Sequence, residues 1–330
     1  MIVTKTPFRV SFVGGGSDLE SFYSRSPGAV LSTTINKFMY ISSHRFFEED
    51  KVRIKYSQTE TVKNVDELKH PIVREVLKKF NIGGGLEISS IADVPAGTGL
   101  GSSSSFTVCL LHNVYTIFGK FVTKEMLAEE ACEIEIKLLK EPIGKQDQYA
   151  AAYGGLNVIR FDPSGIVTVE PIHLKKEIYE ALQKNLIMFY VGDQREASSI
   201  LTEMKDNIAE KKFEITKKMV ELVWEMRDCL YSGNLNEFGQ ILHKNWMLKK
   251  QLASNITNER IDLLYDMAIK NGAVGGKLLG AGGGGFLLFY CDEEKRDKLK
   301  NVMNLRELKF RMENEGSKII YIGDDEYERH

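Results

Sequence analysis

The segment Pro95-Ala96-Gly97-Thr98-Gly99-Leu100-Gly101-Ser102-Ser103-Ser104-Ser105 carries the most chemistry in this chain. Its glycines let the backbone close around an anion. A helix starting at the serines would present unpaired N–H groups and the positive end of its dipole to the same place. Phosphate is the natural guest, and the serine hydroxyls can donate to it or ligate magnesium, a hard ion that takes oxygen. The plainer reading is a glycine turn with a serine N-cap, which needs one serine where four stand. The segment is not a Walker A loop, because a lysine must precede the serine and Gly101 occupies that place.

Three further segments add candidate groups. Pro7-Phe8-Arg9-Val10-Ser11-Phe12-Val13-Gly14-Gly15-Gly16-Ser17-Asp18 ends a strand in small residues and an acceptor. Asp18 either accepts from substrate hydroxyls or caps the helix that follows it. Strand alternation sets Arg9 opposite its immediate neighbours, at the surface or pointed into a site. In Pro142-Ile143-Gly144-Lys145-Gln146-Asp147-Gln148-Tyr149-Ala150-Ala151-Ala152-Tyr153-Gly154-Gly155, Asp147 stands among small and apolar residues and needs a partner, Arg9 or Lys145. Gly280-Ala281-Gly282-Gly283-Gly284-Gly285 fits G-x-G-x-x-G literally but precedes a strand, so the dinucleotide context is missing. Close approach of a ligand or another backbone is the reason expected for so much glycine.

The elements that must position these groups read as α+β. Strand material lies at 2–3 and 8–13, broken at Pro7, then at 29–34, 38–43, 52–56 and 86–90, with a helix at 72–80. Residues 102–117 are apolar nearly all round, a buried helix beginning straight after the glycine-serine loop. A second helix is expected over 124–140, capped by Thr123. Glu135, four residues after Ala131 and about 40° from it, falls on the flank of that helix's apolar stripe. Glu133 turns further towards solvent, so Glu135 is the better magnesium candidate. Strands follow at 156–161, 166–169 and 186–191, then charged helical sequence over 197–270 interrupted at Gly233-Asn234 and Asn255. A strand at 286–290, a helix near 295–302 and a strand at 319–322 close the chain, and the domain boundary is expected at 170–180.

Composition narrows the classes. The 330 residues suit two domains, and 43% hydrophobic with 27% charged residues excludes a disordered chain. A formal charge of −2 supplies no field for nucleic acid or an anionic membrane. Four scattered cysteines with no C-x-x-C pair argue against a zinc site and a disulfide scaffold, and a cytoplasmic location is expected. The first twenty residues hold three glycines and an acidic pair, unlike a signal peptide.

The three glycine-rich segments in this order, with Gln146-Asp147-Gln148 between the second and third, resemble the motifs of the GHMP sugar and metabolite kinases across essentially the whole chain. Pro95 to Ser103 carries the specific part of the likeness, and the opening segment points to the heptose-phosphate kinase and fucokinase-like branch. The resemblance implies a ribosomal-protein-like α+β domain over residues 1–175 and a ferredoxin-like domain over 176–330, with ATP and substrate in the cleft between them. It implies that Pro95, Gly97, Thr98, Gly99, Leu100, Gly101, Ser102, Ser103 and Ser104 form the nucleotide-phosphate loop, and that Ser103 and Glu135 bind Mg²⁺. Asp147 would be the acidic catalytic residue and Arg9 its helper. Gly15, Gly16, Ser17 and Asp18 would meet the sugar, and Gly282, Gly283 and Gly284 would line the cleft. Arg195 matches a family arginine without an assigned role.

The activity implied is transfer of a phosphoryl group from ATP to the anomeric hydroxyl of a heptose 7-phosphate, giving the 1,7-bisphosphate on the way to nucleotide-activated heptose. The partner is then a small sugar phosphate, with no nucleic acid or membrane, and the protein a monomer or homodimer. The alternatives are a fucokinase-like or other anomeric sugar kinase and, in another class, a non-catalytic sugar- or nucleotide-binding regulator. The galactokinase-like Gly-Glu-His-Thr-Asp is Gly14-Gly15-Gly16-Ser17-Asp18 here, which removes an acidic sugar contact and repulsion against a phosphorylated sugar.

Overall fold

A computed structural model describes residues 1–192 and 210–323, and Arg195 lies outside the described residues. The chain opens with β1 (Ile2–Val13), the short helix α1 (Glu20–Tyr23), β2 (Gly28–Arg45), β3 (Val52–Lys55), β4 (Thr59–Val62), α2 (Pro71–Lys79) and β5 (Leu86–Ala92). Next come α3 (Ser102–Ile117), α4 (Lys124–Cys132), a π-helical turn (Glu133–Leu138), α5 (Gln146–Tyr153), β6 (Leu156–Phe161), β7 (Val167–Pro171), α6 (Lys176–Asn185) and β8 (Leu186–Gly192). The rest comprises α7 (Glu210–Ser232), α8 (Leu235–Lys249), α9 (Glu259–Lys270), β9 (Ala273–Leu278), β10 (Gly285–Cys291), α10 (Arg296–Met303), β11 (Arg306–Glu307), β12 (Met312–Glu313) and β13 (Lys318–Ile322).

Among the described residues the strands form two sheets. The larger runs β13-β1-β2-β5-β3-β4, with β6 and β12 also on β2 and β7 on β6, and the smaller runs β11-β8-β10-β9. The architecture is α+β, as the sequence implied. The closing strands β12 and β13, expected with the second half of the chain, pair instead with β2 and β1 of the first sheet. Packing puts them there: the chain crosses back after β11 and shields Thr6, whose hydroxyl donates to Ser317 Oγ at 2.8 Å.

Pro7 does not break β1, contrary to expectation. The ladder to β2 shifts register between Pro7 and Phe8, and an irregularity is where a strand tolerates a residue without an N–H. The freed Pro7 carbonyl accepts from Ser105 Oγ at 2.9 Å, fastening β1 to the first turn of α3. Helix α3 has the bounds expected, since Gly101 stands in the left-handed region at φ 72° immediately before it. Val108, Cys109, Leu110 and Leu111 are all fully buried, so its contacts go to β1, β2 and α5 on several sides.

The helix expected over 124–140 departs from α geometry after Cys132. Leu139 N–H donates to the Ile134 carbonyl at 2.9 Å, an i to i+5 bond, and the wider turn swings Glu135 from the flank to full burial. No helix among the described residues is long and apolar enough to cross a membrane.

Candidate active site

Arg9 lines a cavity of about 370 Å³ together with all three glycine segments and residues of α5, α7 and α8. Its guanidinium clamps Asp147, Nε to Oδ1 at 2.7 Å and Nη2 to Oδ2 at 2.6 Å, while Nη1 donates to the Gly99 carbonyl at 2.6 Å. Its own N–H donates to the Leu100 carbonyl at 3.1 Å. One side chain thus joins β1, the glycine-serine loop and the carboxylate on the first turn of α5. Such two-pronged pairs are short and geometrically specific. Lys145, the other partner considered for Asp147, turns away to the Gly165 carbonyl at 3.1 Å.

Gly101 explains the missing Walker lysine. A β-carbon there would lie 3.2 Å from both Asp147 Oδ2 and Arg9 Cγ, so the left-handed backbone and the Arg9–Asp147 pair fill the space together. Gly97, Ser102, Ser103 and Ser104 also face the cavity, with the N-terminus of α3 open towards it. Pro95, Thr98 and Leu100 are not among its lining residues. Thr98 Oγ donates to the Pro95 carbonyl at 2.9 Å and shapes the loop from behind.

Glu135 lies beneath the serines, fully buried. Ser103 Oγ donates to its Oε1 at 2.8 Å and Gln148 Nε2 to its Oε2 at 2.7 Å. Burial pushes its pKa up to about 7 against these hydrogen bonds. No cation is paired with it among the described residues, and no cluster of three or more His, Cys, Asp or Glu surrounds it. A hydroxyl and a carboxylate lacking a counter-charge fit a magnesium ion that completes its shell with phosphate and water oxygens. Glu133, by contrast, is paired with Lys79 at the surface.

Asp18 caps neither α1 nor a solvent-facing turn. It accepts from Gly16 N–H at 3.0 Å and from Gln146 N–H at 3.3 Å, so it ties the first glycine segment to the start of α5, beside Asp147. Gly144 permits this, since a β-carbon there would stand 2.0 Å from Asp18 Oδ2. Burial raises the Asp18 pKa, and the Asp147 charge adds to it. Gly15 and Gly16 line the cavity. Ser17 does not, its hydroxyl being spent on the Gly14 and Ala29 carbonyls at 2.8 and 3.0 Å.

The third glycine segment divides. Gly280 and Ala281 line the cavity, whereas Gly282, Gly283 and Gly284 do not. Gly283 N–H donates to the Ile256 carbonyl at 3.0 Å, and a β-carbon on Gly282 would meet the Ile256 backbone at 2.7 Å. Their glycines serve a backbone approach, which is one of the two reasons the sequence offered. Gly280 packs on Gly99 so closely that a β-carbon would lie 2.4 Å from its Cα.

Two lysines in the cavity wall were not singled out from the sequence. Lys249 ends α8 and Lys277 lies in β9; both are more than nine-tenths buried. Burial, with Arg9 nearby, pulls Lys249 down to about 7, and Lys277 falls well below the usual lysine range for the same reasons, Lys249 adding to them.

Residues 67–155 match the family model for the GHMP kinases N terminal domain, and residues 226–307 that for GHMP kinases C terminal. The chain is 30% identical over 312 residues to D-glycero-alpha-D-manno-heptose 7-phosphate kinase of Campylobacter jejuni, covering 90% of this chain and 91% of that one. It is 27% identical over 342 residues to galactokinase of Pyrococcus furiosus, covering 93% of each. The crystal structure of a D-glycero-D-manno-heptose 1-phosphate kinase from Bacteroides thetaiotaomicron shares the fold, with a TM-score of 0.81 at 24% identity over 98% of this chain and all of that one. With a glycine-serine loop, a clamped carboxylate and both family domains in one chain, the protein belongs to the GHMP kinase family and is an ATP-dependent phosphotransferase of the sugar-kinase type.

Proposed function

We propose that the enzyme phosphorylates the anomeric hydroxyl of D-glycero-D-manno-heptose 7-phosphate, giving the 1,7-bisphosphate, with Asp147 as the residue that handles the hydroxyl proton. The observation that carries the reaction type is the position of Asp147. It lines one cavity together with the glycine-serine loop, Gly15 and Gly16, with both oxygens oriented by Arg9. The similarity to the Campylobacter jejuni kinase supports the substrate. A carboxylate offers about four lone-pair positions, and the clamp uses two. The remaining positions accept the proton of a sugar hydroxyl as its oxygen attacks the terminal phosphorus of ATP and ADP leaves.

The free amides at the start of α3 and the loop glycines hold the phosphates and meet the charge that develops on them. Ser103 and Glu135 would hold Mg²⁺, which would neutralise phosphate charge. Ser104, almost fully buried beside them, narrows the site. Arg9 balances the Asp147 charge in the resting site and orients the carboxylate. The two-domain division, residues 1–175 and 176–330, belongs to the same proposal, with β12 and β13 returning to the first sheet.

The test is turnover of D-glycero-D-manno-heptose 7-phosphate against fucose, galactose and free heptose, with the phosphorylated position read by phosphorus NMR. Preference for a free sugar favours the fucokinase-like alternative.

A further inference from the structure

Lys249 and Lys277 bring two amino groups into the wall of the reaction cavity with no carboxylate paired to either among the described residues. Lys277 Nζ donates to the Ser11 and Phe12 carbonyls at 2.7 and 2.9 Å, and Lys249 Nζ to the Leu278 and Gly280 carbonyls at 3.2 and 2.5 Å. Each Nζ spends two N–H on these carbonyls, so the third donor is free when the group is protonated, the form that an anion beside it favours. Arg9, the third cation of the wall, already faces Asp147. A buried lysine without a counter-charge is costly, and a chain that places two of them in one cavity has a use for an anion there.

Their anchorage says which anion. Ser11 and Phe12 lead directly into Gly14, Gly15 and Gly16, and Asn245, one turn before Lys249 on α8, accepts from Gly14 N–H at 3.3 Å. Lys277 is therefore built against the first glycine segment, and the helix turn that carries Lys249 is tied to that segment through Asn245, while Lys249 Nζ itself rests on the third segment. The nucleotide loop is already served by the α3 N-terminus and by Ser102, Ser103 and Ser104.

The geometry points to Lys249 and Lys277 as an anion subsite that grips the phosphate ester carried by the acceptor sugar and so sets the preference for a phosphorylated over a free sugar. This rests on the reading of the cavity as the acceptor site of a sugar-phosphate kinase. Binding of a dianion would complete the third donor of each lysine and supply the missing negative charge. The same chemistry exists in the phosphates of ATP, and the experiment separates the two sources.

The measurement is kcat/KM for D-glycero-D-manno-heptose 7-phosphate and for unphosphorylated heptose, with KM for ATP, in the wild type, Lys249→Met and Lys249→Arg. Lys249→Met is expected to lower the ratio of the two kcat/KM values roughly 10- to 100-fold, the range for losing a hydrogen bond to a charged group. Lys249→Arg should recover part of it, and ATP KM should move little. An equal loss on both sugars, or a rise in ATP KM with the ratio intact, overturns the subsite.

Inorganic phosphate supplies a second readout in the wild type that needs no variant to fold. It should inhibit competitively against the acceptor, and inhibition competitive only against ATP contradicts the assignment. If the wild type prefers a different phosphorylated sugar, the heptose reading fails while the same ratio, taken with that sugar, still tests the lysines. If it shows no preference for any phosphorylated acceptor over its free sugar, the subsite itself is wrong.

Discussion

Arg9 and Asp147 lie 138 positions apart in the chain and form a two-pronged ion pair at 2.6 and 2.7 Å, beneath a glycine that leaves no room for a third side chain. The pair is mostly buried on the arginine side and open to the cavity on the aspartate side. This asymmetry suits a carboxylate that must be held still and yet reach a substrate.

Asp147→Asn keeps the shape and removes the proton acceptor. Turnover should fall by at least about 100-fold, the scale of a general base, with ATP affinity largely retained. Single-turnover kinetics and an ATP titration check it, and unchanged turnover removes Asp147 from the chemistry.

Arg9→Lys keeps a charge but not the fork. It gives up two of the three side-chain hydrogen bonds to Asp147 and Gly99, and kcat should drop roughly 10- to 100-fold. A kcat within twofold of wild type would show that the orientation of Asp147 does not depend on the clamp.

Glu135 gives a signature in stability as well as in metal dependence. Its folded pKa, about 7, lies above the ordinary glutamate value of 4.5. Its favourable contribution is therefore fully present below pH 4.5 and is lost as pH rises through about 7. Without divalent metal, the wild type should lose on the order of 1 to 3 kcal/mol across that window relative to Glu135→Gln. Magnesium should restore it at pH 8. Thermal melts in chelator and in magnesium read both effects; identical pH profiles for the two proteins would contradict them. Ser103→Ala with Glu135→Gln should also raise the magnesium concentration needed for half-maximal turnover.

Gly280→Ala tests the seam between the second and third glycine segments. The added carbon would meet Gly99 Cα at 2.4 Å on a backbone at φ 71°. A loss of roughly 1 to 3 kcal/mol in stability and a higher KM for ATP should appear together, because the shift falls on Gly99 of the proposed phosphate loop. Wild-type values for both would mean that the two loops separate without cost.

Much of this arrangement is legible in the sequence because local chemistry dictates it. Gly101 and the serines start α3 where the sequence says they must, and Gly144 and Asp147 are conspicuous as a small residue and a carboxylate in an apolar stretch. What was not legible depends on distant neighbours. The π turn that buries Glu135 arises from packing, not from the residues of 133–138 themselves. Asp18 finds Gln146, 128 positions away, although its own sequence offers a helix to cap. Lys249 and Lys277 look like an ordinary helix end and an ordinary strand residue until β9 is laid against Ser11 and Phe12, 266 and 265 positions earlier. Gly282 to Gly284 are cleft residues only by the family resemblance, since glycine itself signals close approach without saying to what.

The most direct measurement of the central claim is a coupled ADP-release assay with ATP and magnesium on D-glycero-D-manno-heptose 7-phosphate, free heptose, fucose and galactose, followed by phosphorus NMR of the product. The account expects strong preference for the heptose 7-phosphate and a new phosphorus resonance at the anomeric position. Turnover confined to a free sugar, or a new phosphate elsewhere on the ring, would contradict it.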